Sequence, residues 1–136
     1  MLADDDQSVR AAVADELDSD GRFTVVAEAA TADDAVIHAE AQRPDVVLLD
    51  VRMPGGGVDA ARRIFDLSGP TTVAVLSGSL DGPTVGALLR HGVRGMFLKG
   101  HAGPSLAEDL FRCHAGEVIL STPAAAAAVR ALIAAD

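Results

Sequence analysis

The sequence predicts an α/β fold in which a parallel β-sheet is covered by helices on both faces. Short apolar runs alternate with stretches that carry apolar residues at helical spacing, and this alternation occurs five times. The run at 46–49 is apolar at every position, which is typical of a strand buried on both faces. At 136 residues, 49% of them apolar, the chain is long enough for one hydrophobic core. We therefore expect a single (βα)5 domain.

The first two units occupy the amino-terminal third of the chain. Residues 1–3 are the only apolar residues before an acidic run, so the first strand is expected to be truncated. Residues 8–17 place apolar side chains three and four positions apart, which predicts a helix. Residues 23–27 are mostly β-branched or aromatic and predict the second strand. Thr31 is a suitable N-cap for a helix that continues to residue 42.

The next three units follow the same pattern. Proline and glycine bound the third strand on both sides, and the glycines at 55–57 predict a loop before a helix at 58–67. Residues 73–76 predict a fourth short apolar strand. A proline suits the first turn of the next predicted helix, at 83–90. Residues 95–98 are the fifth predicted strand.

A fifth helix and a tail complete the chain. Ser105 and Glu108 have the spacing of a capping box, which predicts a helix over 105–114. Beyond it, residues 118–120 suit an extended segment, and the alanine-rich residues 124–134 predict another helix. This tail lies outside the five βα units.

The acidic balance of the chain argues against direct nucleic-acid binding. There are 11 Lys and Arg against 20 Asp and Glu, and the formal net charge is -9, whereas nucleic-acid affinity depends on basic groups that face phosphates. Cys113 is the single cysteine, which excludes an internal disulfide and a cysteine metal cluster. No apolar run reaches the roughly 20 residues of a membrane span, and the acidic amino end is unlike a signal peptide. We expect a cytoplasmic protein without membrane contact.

Charged and hydroxyl side chains follow four of the predicted strands. Asp4 and Asp5 follow the first strand, and Asp50, Ser77 and Lys99 follow the third, fourth and fifth. The carboxyl ends of parallel strands meet at one edge of the sheet, where α/β proteins bind their ligands. Clustered carboxylates repel one another unless a cation is present, and oxygen ligands suit Mg²⁺. Because a lysine and a hydroxyl can donate to phosphoryl oxygens, the pattern predicts a magnesium-dependent phosphoryl site.

Four motifs surround these side chains. They are Leu2-Ala3-Asp4-Asp5, Asp45-Val46-Val47-Leu48-Leu49-Asp50-Val51-Arg52-Met53-Pro54-Gly55, Val75-Leu76-Ser77 and Leu98-Lys99. Together they resemble the CheY-like response regulator receiver domain. The resemblance covers residues 1–116 and implies a flavodoxin-like strand order 2-1-3-4-5. Residues 117–136 would be a linker and extra helix toward an output domain, and the most similar group carries a LuxR-type helix-turn-helix.

The resemblance implies how the acidic residues act. Asp50 would be the phospho-acceptor, and a sensor histidine kinase would donate the phosphoryl group. Asp5, Asp50 and the backbone carbonyl of Arg52 would hold Mg²⁺, and Asp4 would hold it through water. Asp6 would be an extra carboxylate at the rim of the site.

The resemblance also implies a switch. Ser77 would follow the phosphoryl group and Lys99 would pair with it, so that phosphorylation changes the conformation of the domain. The output would be dimerisation, with the helix at 105–115 as its surface, or control of an output domain in transcription regulation. Arg52 and Ser79 lie where members of this family tune the lifetime of the phosphoryl group.

Two features depart from the family pattern. Met96 stands where the family usually has Tyr or Phe as the rotating switch residue, and Phe97 is expected to point to the opposite face of the sheet. The glycines at 55–57 replace the usual acidic residue in a loop that is one residue short. These departures keep open a phosphorylation-independent receiver that acts only as an interaction module.

Two enzyme or cofactor alternatives fit the sequence less well. A Mg²⁺-dependent small-molecule phosphatase would generally have a second acid two residues after its nucleophile, where this chain has Arg52. A flavin-binding flavodoxin-like module would need a hydroxyl-rich phosphate loop after the first strand, where this chain has the aspartates 4–6. We therefore expect a signalling switch rather than an enzyme.

Overall fold

The computed structural model of the chain describes residues 1–67, 69–99, 105–121 and 123–134. Its strands are β1 (Leu2–Ala3), β2 (Glu28–Ala29), β3 (Val46–Asp50), β4 (Thr72–Ser77), β5 (Gly95–Leu98) and β6 (Ile119–Leu120). Its helices are α1 (Gln7–Asp18), α2 (Ala32–Gln42), α3 (Gly57–Asp66), α4 (Gly82–Arg90), α5 (Leu106–His114) and α6 (Pro123–Ala134).

The strands form one parallel sheet in the order β2-β1-β3-β4-β5-β6. The predicted (βα)5 fold with strand order 2-1-3-4-5 is therefore confirmed, and so is the short first strand. The sixth strand is an addition that the sequence did not predict as part of the sheet. Its residues Ile119 and Leu120 pair with Gly95 and Met96 at the free edge of β5.

Helices cover both faces of the sheet because successive strand residues point to opposite sides. Helices α1 and α5 pack on one face, in a cluster that includes Leu48, Leu76 and Phe97. The other four helices pack on the second face, in a larger cluster that includes Leu49 and Met96. We call these the α1/α5 face and the α2/α3/α4 face. The central strands are buried on both sides, as the continuous apolar run predicted.

The second strand was predicted too early in the chain. Residues 23–27 were expected to be the strand, but the ladder assigns β2 to Glu28–Ala29. The reason is the position of β1: Leu2 N–H donates to the Ala27 carbonyl at 3.1 Å, so residues 23–26 extend past the first residue of β1. Strand propensity alone does not reveal where the neighbouring strand begins.

Two helix starts show when a cap can be predicted. Thr31 caps α2 as expected, accepting a hydrogen bond from the Asp34 N–H at 3.2 Å. The capping box predicted at Ser105 is not formed, because Ser105 has helical backbone angles (φ −82°, ψ −9°) and its side chain makes no cap hydrogen bond. A capping side chain needs an extended backbone to reach the next turn. Asp6, predicted at the rim, caps α1.

Candidate functional site

The carboxyl ends of β1, β3, β4 and β5 lie at one edge of the sheet, where the sequence placed the candidate residues. Asp4 follows β1 and Asp50 ends β3, and both are about 95% buried. Ser77 ends β4 and is fully buried, and Lys99 follows β5. Asp5 is exposed, next to Asp4. The parallel register therefore brings together side chains that are almost 100 positions apart in sequence.

Three carboxylates form a cluster at this edge. One oxygen from each of Asp4, Asp5 and Asp50 comes within 4.8 Å of the others. The ammonium of Lys99 lies 2.8 Å from Asp4 Oδ2 and 3.1 Å from Asp50 Oδ2. When all three acids are ionised, the cluster carries more negative charge than one lysine can balance, which favours binding of a cation.

The environment of this cluster shifts the pKa of two groups. Burial raises the pKa of the Asp50 carboxyl; hydrogen bonds from the Arg52 N–H and from Lys99 act in the opposite direction, and the neighbouring Asp4 charge adds to the rise. For Lys99, burial opposes the charged form, but hydrogen bonds to Asp4 and Asp50 outweigh it and raise its pKa. Lys99 is therefore a permanent cation beside a carboxylate that is costly to ionise.

The donor set of the cluster fits Mg²⁺. Every candidate ligand is an oxygen, as a hard divalent ion prefers. Asp4 Oδ2 is buried with the Lys99 ammonium 2.8 Å away, and a carboxylate oxygen can accept a further polar partner beside it. The Arg52 N–H donates to Asp50 Oδ1 at 3.2 Å, which holds the chain after β3 against the acidic cluster and places the Arg52 backbone beside it.

A glycine permits the close packing behind Asp50. A Cβ atom added to Gly57 would lie 2.1 Å from the Asp50 carbonyl oxygen and 2.6 Å from the Val51 Cα. Gly57 N–H donates to the Val51 carbonyl at 2.9 Å, so the start of α3 is tied to the chain that follows β3. Gly56, the residue before it, has φ 87°, a backbone region that favours glycine. The glycine loop thus holds α3 against the backbone of the candidate acceptor.

The hydroxyl of Ser77 is held by the loop after β4. It donates to the Ser79 carbonyl at 2.7 Å, and the Ser79 N–H lies 3.3 Å from the same oxygen. The Ser79 hydroxyl accepts a hydrogen bond from the guanidinium of Arg52 at 3.2 Å. Arg52 and Ser79 therefore bridge the loops after β3 and β4, across the entrance to the site.

Residues 96 and 97 point to opposite faces, as predicted. Met96 belongs to the α2/α3/α4 face and Phe97 to the α1/α5 face, and both are buried. Phe97 lies close to Gly95 and Cys113. Since Phe97 is committed to the opposite face, it does not replace the aromatic side chain that position 96 lacks.

Arg10 is a supporting residue that the sequence did not single out for the site. Its guanidinium donates to the backbone carbonyl of Asp4 and lies 3.3 Å from the Glu28 carboxylate. It thereby ties the end of β1 to α1 and β2. Val9 and Arg10 fall where the receiver family commonly has such a pair, but the contact of Arg10 with the Asp4 carbonyl is visible only in the fold.

The comparisons with known proteins agree with this geometry. Residues 1–111 match the response regulator receiver domain family. The chain is 33% identical over 135 residues to the nitrate/nitrite response regulator protein NarL of Escherichia coli K12. The alignment covers 96% of this chain and 62% of NarL. It is 31% identical over 128 residues to the DNA-binding transcriptional activator DevR/DosR of Mycobacterium tuberculosis, and this alignment covers 93% of the chain and 59% of DevR/DosR. The chain thus spans about three fifths of these relatives' lengths.

A solved structure shows the same fold over nearly the whole chain. A two-component response regulator of the LuxR family from Aurantimonas sp. SI85-9A1 superposes with a TM-score of 0.88 at 25% sequence identity, covering 98% of this chain and 96% of that one. Within the part of the chain that the structure describes, no helix is both long and apolar enough to cross a membrane.

Proposed function

Because the chain belongs to the response regulator receiver domain family, we propose that it is a phosphorylation switch whose phospho-acceptor is Asp50. The observation that carries the proposal is the convergence of Asp4, Asp5 and Asp50 within 4.8 Å, with Lys99 paired to the two buried acids. Asp50 is buried at the carboxyl end of the central strand β3, and the Arg52 N–H orients one of its oxygens.

The residues of the cluster divide the work of phosphoryl transfer. A carboxylate oxygen of Asp50 attacks phosphorus; a P–O bond forms, and the bond to the donor breaks with its electron pair leaving on the donor. Asp5, Asp50 and the Arg52 carbonyl would hold Mg²⁺, with Asp4 holding it through water. The bound ion would supply positive charge against the phosphoryl oxygens. Lys99 lies close enough to Asp50 to pair with the new phosphoryl charge.

Transfer of the signal would begin at Ser77. Its hydroxyl now donates to the Ser79 carbonyl, so donating to a phosphoryl oxygen on Asp50 requires that this bond be given up. The loop between β4 and α4 would then move, and α4 with it. Helix α6 packs beside α4, where the Leu132 side chain lies against Gly86. A shift of α4 would therefore also displace α6.

The partners follow from this role. We propose a sensor histidine kinase as the phosphoryl donor and a cytoplasmic location for this protein. Residues 1–116 would be the receiver domain, and residues 117–136 a linker and extra helix toward a LuxR-type output domain that regulates transcription. The α5 region, residues 105–115, is the candidate dimer surface, and Phe111 on it is 43% exposed. The acidic segment itself would not contact DNA.

A second candidate function is a receiver that works without phosphorylation. The buried Met96 at the position of the aromatic switch residue favours it, because a flexible thioether side chain does not provide the two discrete ring positions of an aromatic switch. The complete acidic cluster and Lys99 favour phosphorylation instead.

Intact-mass spectrometry separates the two functions. The protein is incubated with acetyl phosphate in the presence and absence of Mg²⁺, beside the Asp50→Asn variant. We expect one phosphoryl adduct that requires both Mg²⁺ and Asp50. A folded protein, verified by circular dichroism, that gains no adduct would support the phosphorylation-independent receiver. An adduct that persists in Asp50→Asn would place the acceptor elsewhere.

A further inference from the structure

The peptide groups on either side of Asp5 are both held by hydrogen bonds. The Asp4 carbonyl, in the peptide before Asp5, accepts from the guanidinium of Arg10. The Asp6 N–H, in the peptide after Asp5, donates to Asp4 Oδ1 at 2.8 Å. Because a peptide group is planar, a hydrogen bond to its oxygen or from its N–H restricts the rotation of the whole unit. The backbone at Asp5 is therefore held from both sides.

This backbone decides where the Asp5 carboxylate lies. Asp5 is exposed, so packing contributes little to the orientation of its side chain. One of its oxygens nevertheless lies within 4.8 Å of oxygens from Asp4 and Asp50, as a shared metal ion would require. The direction in which the side chain leaves the chain follows from the two flanking peptide groups. Whatever holds those groups therefore holds Asp5 in the cluster.

Arg10 is anchored firmly enough to hold the first of these peptide groups. It lies in the first turns of α1, where its N–H donates to the Asp6 carbonyl at 3.1 Å. Its side chain is only 17% exposed, and its Nε lies 3.3 Å from a carboxylate oxygen of Glu28 in β2. The guanidinium is a rigid planar fork, so pairing at Glu28 also restricts the donor that reaches the Asp4 carbonyl.

The two cations beside Asp4 differ in what they contact. The Lys99 ammonium lies 2.8 Å from a carboxylate oxygen of Asp4, where it balances charge. Arg10 instead donates to the backbone carbonyl of Asp4, and its ion pair is with Glu28, outside the acidic cluster. Arg10 thus leaves the carboxylates free for a metal ion while it fixes the chain that carries two of them.

We propose that Arg10 is a positioning residue for the magnesium site, which orients the Asp5 carboxylate by holding the peptide between Asp4 and Asp5. This inference rests on the proposed function, in which Asp5 is a direct ligand of Mg²⁺. Arg10 itself would contact neither the ion nor the phosphoryl group. Loss of a group that orients a metal ligand typically weakens metal affinity about 10–100-fold.

Three variants test this role. Arg10→Met removes the donors and the charge but keeps a long side chain. Arg10→Lys keeps the charge but offers one ammonium where the guanidinium has two partners. Arg62→Met is the control, because it removes a charge of the same sign from the exposed Arg62 of α3, which pairs with Asp59. The dissociation constant for Mg²⁺ is measured by titrating each ¹⁵N-labelled protein with MgCl₂ and following backbone amide NMR shifts.

We expect Arg10→Met to bind Mg²⁺ about tenfold more weakly than the native chain, Arg10→Lys to lose less, and Arg62→Met to be unchanged. An effect of charge alone has the opposite sign, because removing a cation near the acidic cluster would tighten Mg²⁺ binding. Unchanged or tighter binding by Arg10→Met would therefore overturn the inference, and so would an equal loss in Arg62→Met.

The same titrations separate this inference from the function on which it rests. A native chain that binds no Mg²⁺ would overturn both, whereas native binding with an unaffected Arg10→Met would overturn the role of Arg10 alone. The spectra before MgCl₂ is added show whether each variant is folded. If Arg10→Met does not fold, Arg10→Lys decides: weaker binding at unchanged charge supports the role, and native affinity overturns it.

Phosphorylation by acetyl phosphate gives a second readout. Because Arg10 would act on metal binding and not on the reacting atoms, the Mg²⁺ concentration for half-maximal rate should rise about tenfold in Arg10→Met. The rate at saturating Mg²⁺ should stay close to that of the native chain. A lower saturating rate with an unchanged half-saturating concentration would contradict the positioning role.

Discussion

Lys99 lies between two buried carboxylates, and this arrangement governs the electrostatics of the site. Its ammonium is 2.8 Å from Asp4 and 3.1 Å from Asp50, yet the pKa of Asp50 is still raised, with burial as the largest cause. Ionising the Asp50 carboxyl therefore costs more free energy in the folded protein than in the unfolded chain. Such destabilised groups are common where function requires them.

The Asp50→Asn variant should be more stable than the native protein at neutral pH in Mg²⁺-free buffer, by about 1 kcal/mol. The pKa of Asp50 is higher in the folded protein than in the unfolded chain. The native protein therefore loses stability as the pH rises from the unfolded-state pKa through the folded-state pKa, and the variant does not. The gain should therefore be small near pH 4 and larger at pH 7. Urea unfolding at both pH values measures it, with the exposed Asp15→Asn as the control. A variant less stable at pH 7 contradicts the expectation.

Gly57 is the second residue of interest, because it packs directly against the backbone of Asp50. Replacement with alanine brings a Cβ to 2.1 Å from the Asp50 carbonyl, so the start of α3 must move away from β3. We expect Gly57→Ala to lower the free energy of unfolding by about 2 kcal/mol and to slow phosphorylation by acetyl phosphate. Gly21→Ala is the matched control, since no atom lies within 4 Å of its added Cβ. Equal stability of the two variants would show that the loop adapts.

For individual residues, the sequence predicted where the site residues lie better than it predicted their hydrogen bonds. Asp4, Asp50 and Lys99 could be placed together because a parallel sheet gathers strand ends at one edge. The direction of the Ser77 hydroxyl and the Arg52–Ser79 hydrogen bond could not, because both depend on loop conformations that no local pattern encodes.

The sequence did not determine where the tail, with β6 and α6, packs against the rest of the domain. An alanine-rich helix and a short apolar segment were expected, but their docking was not. β6 pairs with β5, and Ala125 of α6 is fully buried with the α2/α3/α4 face. Because α6 is rich in alanine, its faces differ little in hydrophobicity, and the sequence does not show which face packs against the rest of the domain. The helix faces, in contrast, followed from periodicity, and the strand order followed from the family resemblance.

Helix α6 offers a matched pair of substitutions. Ala125 is fully buried, whereas Ala127 is exposed on the same helix. We expect Ala125→Glu to lower the free energy of unfolding by about 1–3 kcal/mol, because a charge would be forced under the helix. Ala127→Glu should change it by less than about 0.5 kcal/mol. Chemical denaturation measures both. Equal behaviour would indicate that α6 is not docked in solution.

Over the whole molecule, the dominant property is its negative charge. With 20 acidic and 11 basic residues, the surface repels polyanions and attracts divalent cations. The acidic cluster of Asp4, Asp5 and Asp50 at one edge of the sheet likewise suits cation binding rather than DNA binding.

The 136-residue chain should pass through a heparin or DNA-cellulose column without retention at about 50 mM salt, phosphorylated or not, because its formal net charge of -9 repels a polyanion. Elution volume, compared with that of a neutral protein of similar size, is the measurement. Retention that disappears at higher salt would show that basic groups gather on a surface despite the net charge.

The central position of β1 has a consequence for how the chain is made. The Met1 amine bonds to the carbonyl of Val46, 45 positions later, so β1 cannot pair with β3 until β3 has been synthesised, on the order of seconds later at typical synthesis rates. The later strands β3, β4 and β5 are close in sequence and can pair without β1. Until β3 has emerged, β1 lacks its partner on that side, and the nascent chain exposes an apolar strand edge to chaperones and to neighbouring chains.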